Sequence, residues 1–313
     1  MPGLIRVSGW ADVSVLTAKL PAADEIVGPT PGQQLRRRIF GHRGVMIGGT
    51  ILGLIMLMAV LAPLIAPFDP YEQILTARLA PPVWHDKGAW LHMLGTDQNG
   101  RDYLTRVIYG AQISLMIGFL AAILSGIIGT ALGVAAGYFG GRVDLVVTYL
   151  ITCRLSLPVI LVSLAVVAII GGSLQTVILV LGLLLWDRYA VVMRASTLQV
   201  RSLDYVAAAQ AAGCSTWHIL VSEILPNVMN QLIVIATLEF AHAVLLEAAL
   251  SFLGLGVQPP LPSWGLMIAE GRNYILFDPW LIAIPGAALF LLLLAVNLLG
   301  DGVRDVTAPE NRG

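Results

Sequence analysis

Between Arg43 and Asp69 the chain carries no charged residue, and the uninterrupted apolar run Val45–Phe68 is long enough to cross a bilayer. About 20 apolar residues in a helix span the hydrocarbon. The pattern recurs. Arg106 to Arg142 encloses a second charge-free run, longer than a membrane is thick and ending in the glycine-rich GYFGG at Gly137–Gly141. A third apolar stretch runs from Leu145 to about Trp186 and is cut at Gly171-Gly172-Ser173, which fits two antiparallel spans joined by a tight turn. A fifth span is expected from about Val228 to Gly256, and a sixth between Asp278 and Asp301. The runs are continuously apolar, without the alternation of barrel strands, so the expected fold is an all-α membrane protein of six transmembrane helices. With 57% hydrophobic and 12% charged residues in 313, no single aqueous core would hide the apolar surface.

Basic residues set the expected orientation. Arg36, Arg37, Arg38 and Arg43 precede the first span, which places the N-terminus in the cytoplasm; an even span count brings the C-terminus there too. The expected organisation is a polar tail over 1–32, an amphipathic segment and first span over 33–68, an outer loop over 69–106, a transmembrane domain over 111–300 and a cytoplasmic tail over 301–313. Arg78, Lys87, Arg101 and Arg106 in the outer loop pull against this topology. The first forty residues lack the apolar core of a cleavable signal, and QLRRRIFGHRG at 34–44 suits a helix lying on the inner membrane face.

Several chemistries are excluded. The two lysines, Lys19 and Lys87, stand in no phosphate-cradling G-x-x-x-x-G-K-[ST] context, so any ATP is expected on another chain. His42, His85, His92, His218 and His242 show no metal-ligand pairing, and no nucleophile elbow occurs. A net charge of −1 argues against nucleic acid. Cys153 and Cys214 are read as reduced thiols on the cytoplasmic side. No cofactor, metal or enzymatic activity is expected of this chain.

The segment Asp204–Asn227, DYVAAAQAAGCSTWHILVSEILPN, is a soluble-looking interruption between later spans. It reads as a short helix, a turn at Gly213 and a second short helix ending at Pro226. Its Ala207-Ala208-Ala209, Gly213 and Ile224-Leu225-Pro226 resemble the "EAA" coupling loop of ATP-binding-cassette importer permeases, with Ala207 where that pattern has glutamate. Further matches follow in order: LGTDQNGRD at 94–102, Arg106 to Leu115, EAALSFLGLG at 247–256, PSWG at 262–265 and GDGVRD at 300–305. Together they are similar to the dipeptide/oligopeptide permeases, and LAPLIAPFDP at 61–70 to their C-type subunit. The resemblance implies a type I importer fold in a bacterial or archaeal cytoplasmic membrane. It also implies a second homologous permease, two ATP-binding subunits and an extracytoplasmic solute-binding protein. Ala207, Ala208, Ala209, Gly213, Trp217, Leu225 and Pro226 would form the ATPase-docking element, with Trp217 as apolar anchor.

Glu239, His242 and Glu247 lie on the fifth span, where ionisable groups are costly and default to function. Glu239 and His242, one turn apart, either face the pathway and meet a peptide's amine or satisfy each other between helices. Asp187-Arg188 reads as a similar structural pair with other helices, and Arg154, in the inner half of the third span, as a snorkelling residue. Asp97, Arg101 and Asp102, around the turn dipeptide Asn99-Gly100, either contact a binding protein or cap the bundle. A self-sufficient secondary transporter or channel is the alternative; it predicts broken helices with paired mid-membrane charges and no docking loop.

Overall fold

The computed structural model describes residues 31–307, so residues 1–30 of the expected polar tail and 308–313 of the C-terminal tail lie outside it. Among the described residues the chain is helical. A basic helix α1 (Pro31–Gly41) stops at His42, whose Nδ1 accepts from Val45 N at 3.3 Å and caps α2 (Arg43–Val60). The short α3 (Ala62–Ile65) leads into the outer loop, and α4 (Tyr103–Phe139) follows as one unbroken helix of 37 residues. Asp102 starts it by accepting from Thr105 N at 2.8 Å, which satisfies one of the unpaired first-turn amides.

The third apolar stretch is cut at 171–173 as expected, but its first part is bent and its second runs on to Arg201. It forms α5 (Gly141–Leu155) and α6 (Val159–Ile170), bent by 81° at Ser156–Pro158, then α7 (Leu174–Leu184) and α8 (Trp186–Arg201). Pro158 lacks an N–H and disfavours helical backbone at Leu157, which explains the bend. Arg154 is held by carbonyl groups. Its Nε donates to Leu184 O at 2.8 Å and its Nη1 to Leu157 O at 3.2 Å, serving carbonyls that the two breaks leave without helical partners. Cys153 lies beside it within the bent element, with its thiol exposed.

The remainder comprises α9 (Asp204–Ala211), α10 (Thr216–His218), a π-helical turn (Ile219–Ile224), α11 (Leu225–Phe252), α12 (Trp264–Gly271) and α13 (Trp280–Thr307). Two boundaries depart from expectation. The stretch 257–279, between the fifth and sixth expected spans, contains α12 with Trp264 wholly buried, and α13 runs past residue 301 to Thr307. Five helices or collinear helix pairs are long and apolar enough to cross a membrane, or six if the bent α5–α6 pair is one span. The packing favours six. Helix α4 lies along α8 with Gly129 against Trp186 and Ala190, Gly133 against Ala190 and Met193, and Gly137 against Arg194 and Thr197. Residue numbers rise together on both helices, so the two are parallel. Parallel neighbours need one crossing between them, and α5–α6 supplies it. A Cβ at Gly129 would stand 2.3 Å from Trp186 O, so only glycine permits this approach.

Candidate functional site

The element between α8 and α11 is built from the turn outward. Gly213 has φ +78°, a left-handed conformation that costs a side-chain-bearing residue but not glycine. Gly213 N donates to Gln210 O at 3.0 Å and Cys214 N to Ala209 O at 3.1 Å, closing α9; Ser215 then caps α10, its Oγ accepting from His218 N at 3.3 Å. Val206, Ile219, Ile224 and Val228 are buried on Val134, Tyr138 and Met193, fixing the element to the ends of α4 and α8. Its outer face is open: Ala207 and Ala208 are exposed, Ala209 is half-buried, and Trp217 is 75% exposed. Pro226 does not end the second helix. It sits in the first turn of α11, where a missing N–H is tolerated, and the π turn before it shifts the bonding so that Leu225 N donates to Leu220 O. Thr216–Phe252 therefore reads as one continuous rod from the turn through the span.

Two surfaces of that rod differ in chemistry. One lines an apolar groove of about 760 Å³ between α2, α4, α11 and α13, with Trp217, Leu225 and Phe240 among its walls. The groove contains neither Glu239 nor His242. Those two meet Arg188 of α8 instead. Arg188 Nη1 donates to His242 Nδ1 at 2.7 Å and to Glu239 Oε1 at 3.3 Å. Glu239 Oε1 and His242 Nδ1 are 3.7 Å apart, so the arginine bridges the pair. Glu239 is completely buried, whereas the Arg188 side chain is 51% exposed. Glu247 is separate: also completely buried, its Oε1 accepts from Ser251 and Ser263, each at 2.8 Å, and pins α12 to α11.

The outer loop is tied down by charges that satisfy one another. Asp97 pairs with Arg101 Nε at 2.6 Å and with Arg106, while Glu270 of α12 accepts from Arg101 Nη2 at 3.3 Å and Arg106 Nη1 at 2.8 Å. Asp102 accepts from His92 Nδ1 at 2.9 Å as well as capping α4. Asp97 and Arg101 thus pair with each other and with Arg106, closed by Glu270, which nothing local in the sequence singled out, while Asp102 pairs with His92. Among the described residues no group of His, Cys, Asp and Glu is placed to hold a metal.

The sequence profile of "Binding-protein-dependent transport system inner membrane component" matches residues 129–313, and that of "N-terminal TM domain of oligopeptide transport permease C" matches residues 30–82. The chain belongs to the binding-protein-dependent transport system inner membrane component family. It is 40% identical over 291 residues to the di/tripeptide transport system permease protein DppC of Pseudomonas aeruginosa, covering 93% of this chain and 96% of that one. To the dipeptide transport system permease protein DppC of Escherichia coli K12 it is 40% identical over 281 residues, 90% of this chain and 94% of the other. Inward-facing structures of the MetNI methionine ABC transporter match with a TM-score of 0.54, at 20% identity over 65% of this chain and 97% of that chain. The fold is that of a type I importer permease. The protein is a multi-pass component of the cytoplasmic membrane, in a family that works with ATP-binding and substrate-binding partners.

Proposed function

We propose that this chain is the peptide-carrying permease of its importer, pairing with a second homologous permease, two ATP-binding subunits and an extracytoplasmic peptide-binding protein. ATP is held by the partner chains, and this chain performs no covalent chemistry. The 204–227 element seats in a cleft of an ATP-binding subunit through Ala207, Ala208, Ala209 and Trp217. The observation carrying this reading is the continuity of Thr216–Phe252. A rod running unbroken from an exposed tryptophan to the outer end of the span transmits motor closure to the bundle as rigid-body tilt. Ala207 brings no carboxylate to the contact, so docking there rests on shape and apolar burial.

Gly213→Pro tests the coupling. Proline fixes φ near −65°, which is incompatible with +78° at this turn. In a reconstituted complex the variant is expected to insert and assemble, and ATP hydrolysis to continue, while dipeptide uptake falls at least tenfold. Normal uptake at normal assembly would remove the element from the mechanism.

A further inference from the structure

The Arg188 cluster lies on the candidate membrane span Leu174–Arg201, where a charge is costly to keep. Yet half of that side chain faces out of the chain. Both of its hydrogen bonds use Nη1; among the described residues Nε and Nη2 make none. His242, 31% exposed beside it, uses only Nδ1 and presents Nε2 on the same surface. Glu239 stands behind the arginine with no exposed surface. It orients the guanidinium but is out of reach of anything approaching from outside. A bare guanidinium edge facing lipid is costly, so on the importer reading above this surface is expected to face the pathway between the two permeases.

We propose that Arg188 and His242 form a binding site on the spans for the C-terminal carboxylate of a peptide in transit, with Glu239 as the positioning residue. The free Nε and Nη2 form a two-pronged donor edge that matches a carboxylate. A peptide's ammonium group finds no acceptor here, because the only carboxylate of the cluster is buried. The expected recognition is therefore the opposite of an amine bound by Glu239. The site rests on the peptide-import reading above.

The test compares uptake of a dipeptide with that of its C-terminal amide in the complete complex in proteoliposomes. Both are supplied at concentrations that saturate the binding protein, so that its own preference drops out. Arg188→Gln is expected to lower free-acid uptake about tenfold or more, the loss of a charge-assisted hydrogen-bond pair, and to leave amide uptake within about twofold. Arg188→Lys keeps the positive charge beside Glu239 but loses the fork. It should narrow the acid-to-amide ratio several-fold and stands in if the glutamine variant fails to assemble. Equal loss on both peptides, an unchanged ratio, or failure of both variants to retain the second permease would overturn the proposal; the last would make Arg188 a contact between permeases. A wild-type complex that takes up neither peptide would sink the peptide reading itself, a result distinct from any of these.

Discussion

Single residues decide how the outer end of this bundle holds together. Asp97 neutralises two arginines that are almost completely buried, and Glu270 shares the load from another helix. Removing one partner of a buried ion pair strands the other charge, at about 3–5 kcal/mol. Asp97→Asn is therefore expected to lower the stability of the solubilised permease by about 3 kcal/mol, with uptake per assembled complex little changed. Thermal unfolding of the purified complex reads this directly, and an unshifted transition would mean that Glu270 alone balances both arginines. The cluster was half legible. Asp97 and Arg101 are neighbours in the chain, and their opposed charges announce mutual pairing, whereas Asp102 turns to His92. Glu270 is a lone acid in an apolar stretch, 164 residues from Arg106, and only the packing of α12 on α4 brings it in. The same holds within the spans. The spacing of Glu239 and His242 is visible in the sequence, but the arginine between them comes from the neighbouring helix α8.

At the scale of helices, apolar runs located most spans because the hydrocarbon demands continuous apolar helix and self-satisfied backbone. Where the chain bends, the reading depended on single prolines, and their effect depends on position within the helix. Pro158 breaks a span because a helix would have to continue through it. Pro226 breaks nothing, because it falls in a first turn with a π turn before it to absorb the lost bond. The glycines of α4 were equally visible in the sequence, but their partner was not. Their close contact with α8 makes a sharp prediction for Gly133, where even a Cβ would lie 2.6 Å from Ala190 O. Gly133→Leu must push the two helices apart, and overpacking of this kind costs about 1–3 kcal/mol or more. The expected outcome is loss of assembled complex from membranes while the chain still inserts. Full assembly would show that the α4–α8 seam is loosely packed.

For the whole molecule, six crossings place the 204–227 element and the outer loop on opposite sides of the membrane. With Cys153 and Cys214 replaced by serine, Thr216→Cys is expected to react with an impermeant thiol reagent only from the cytoplasm. Lys87→Cys should react only from outside. Labelling of both from one side would break the parallel arrangement of α4 and α8. The central claim is that this chain moves solute only as part of an ATP-driven assembly. Uptake of a labelled dipeptide into proteoliposomes measures it most directly, comparing the purified chain alone with the complete complex and binding protein, each with and without ATP. The account predicts uptake only by the complete complex and only with ATP. Solute accumulation by the single chain, driven by a gradient and indifferent to ATP, would contradict it and make the protein a secondary transporter.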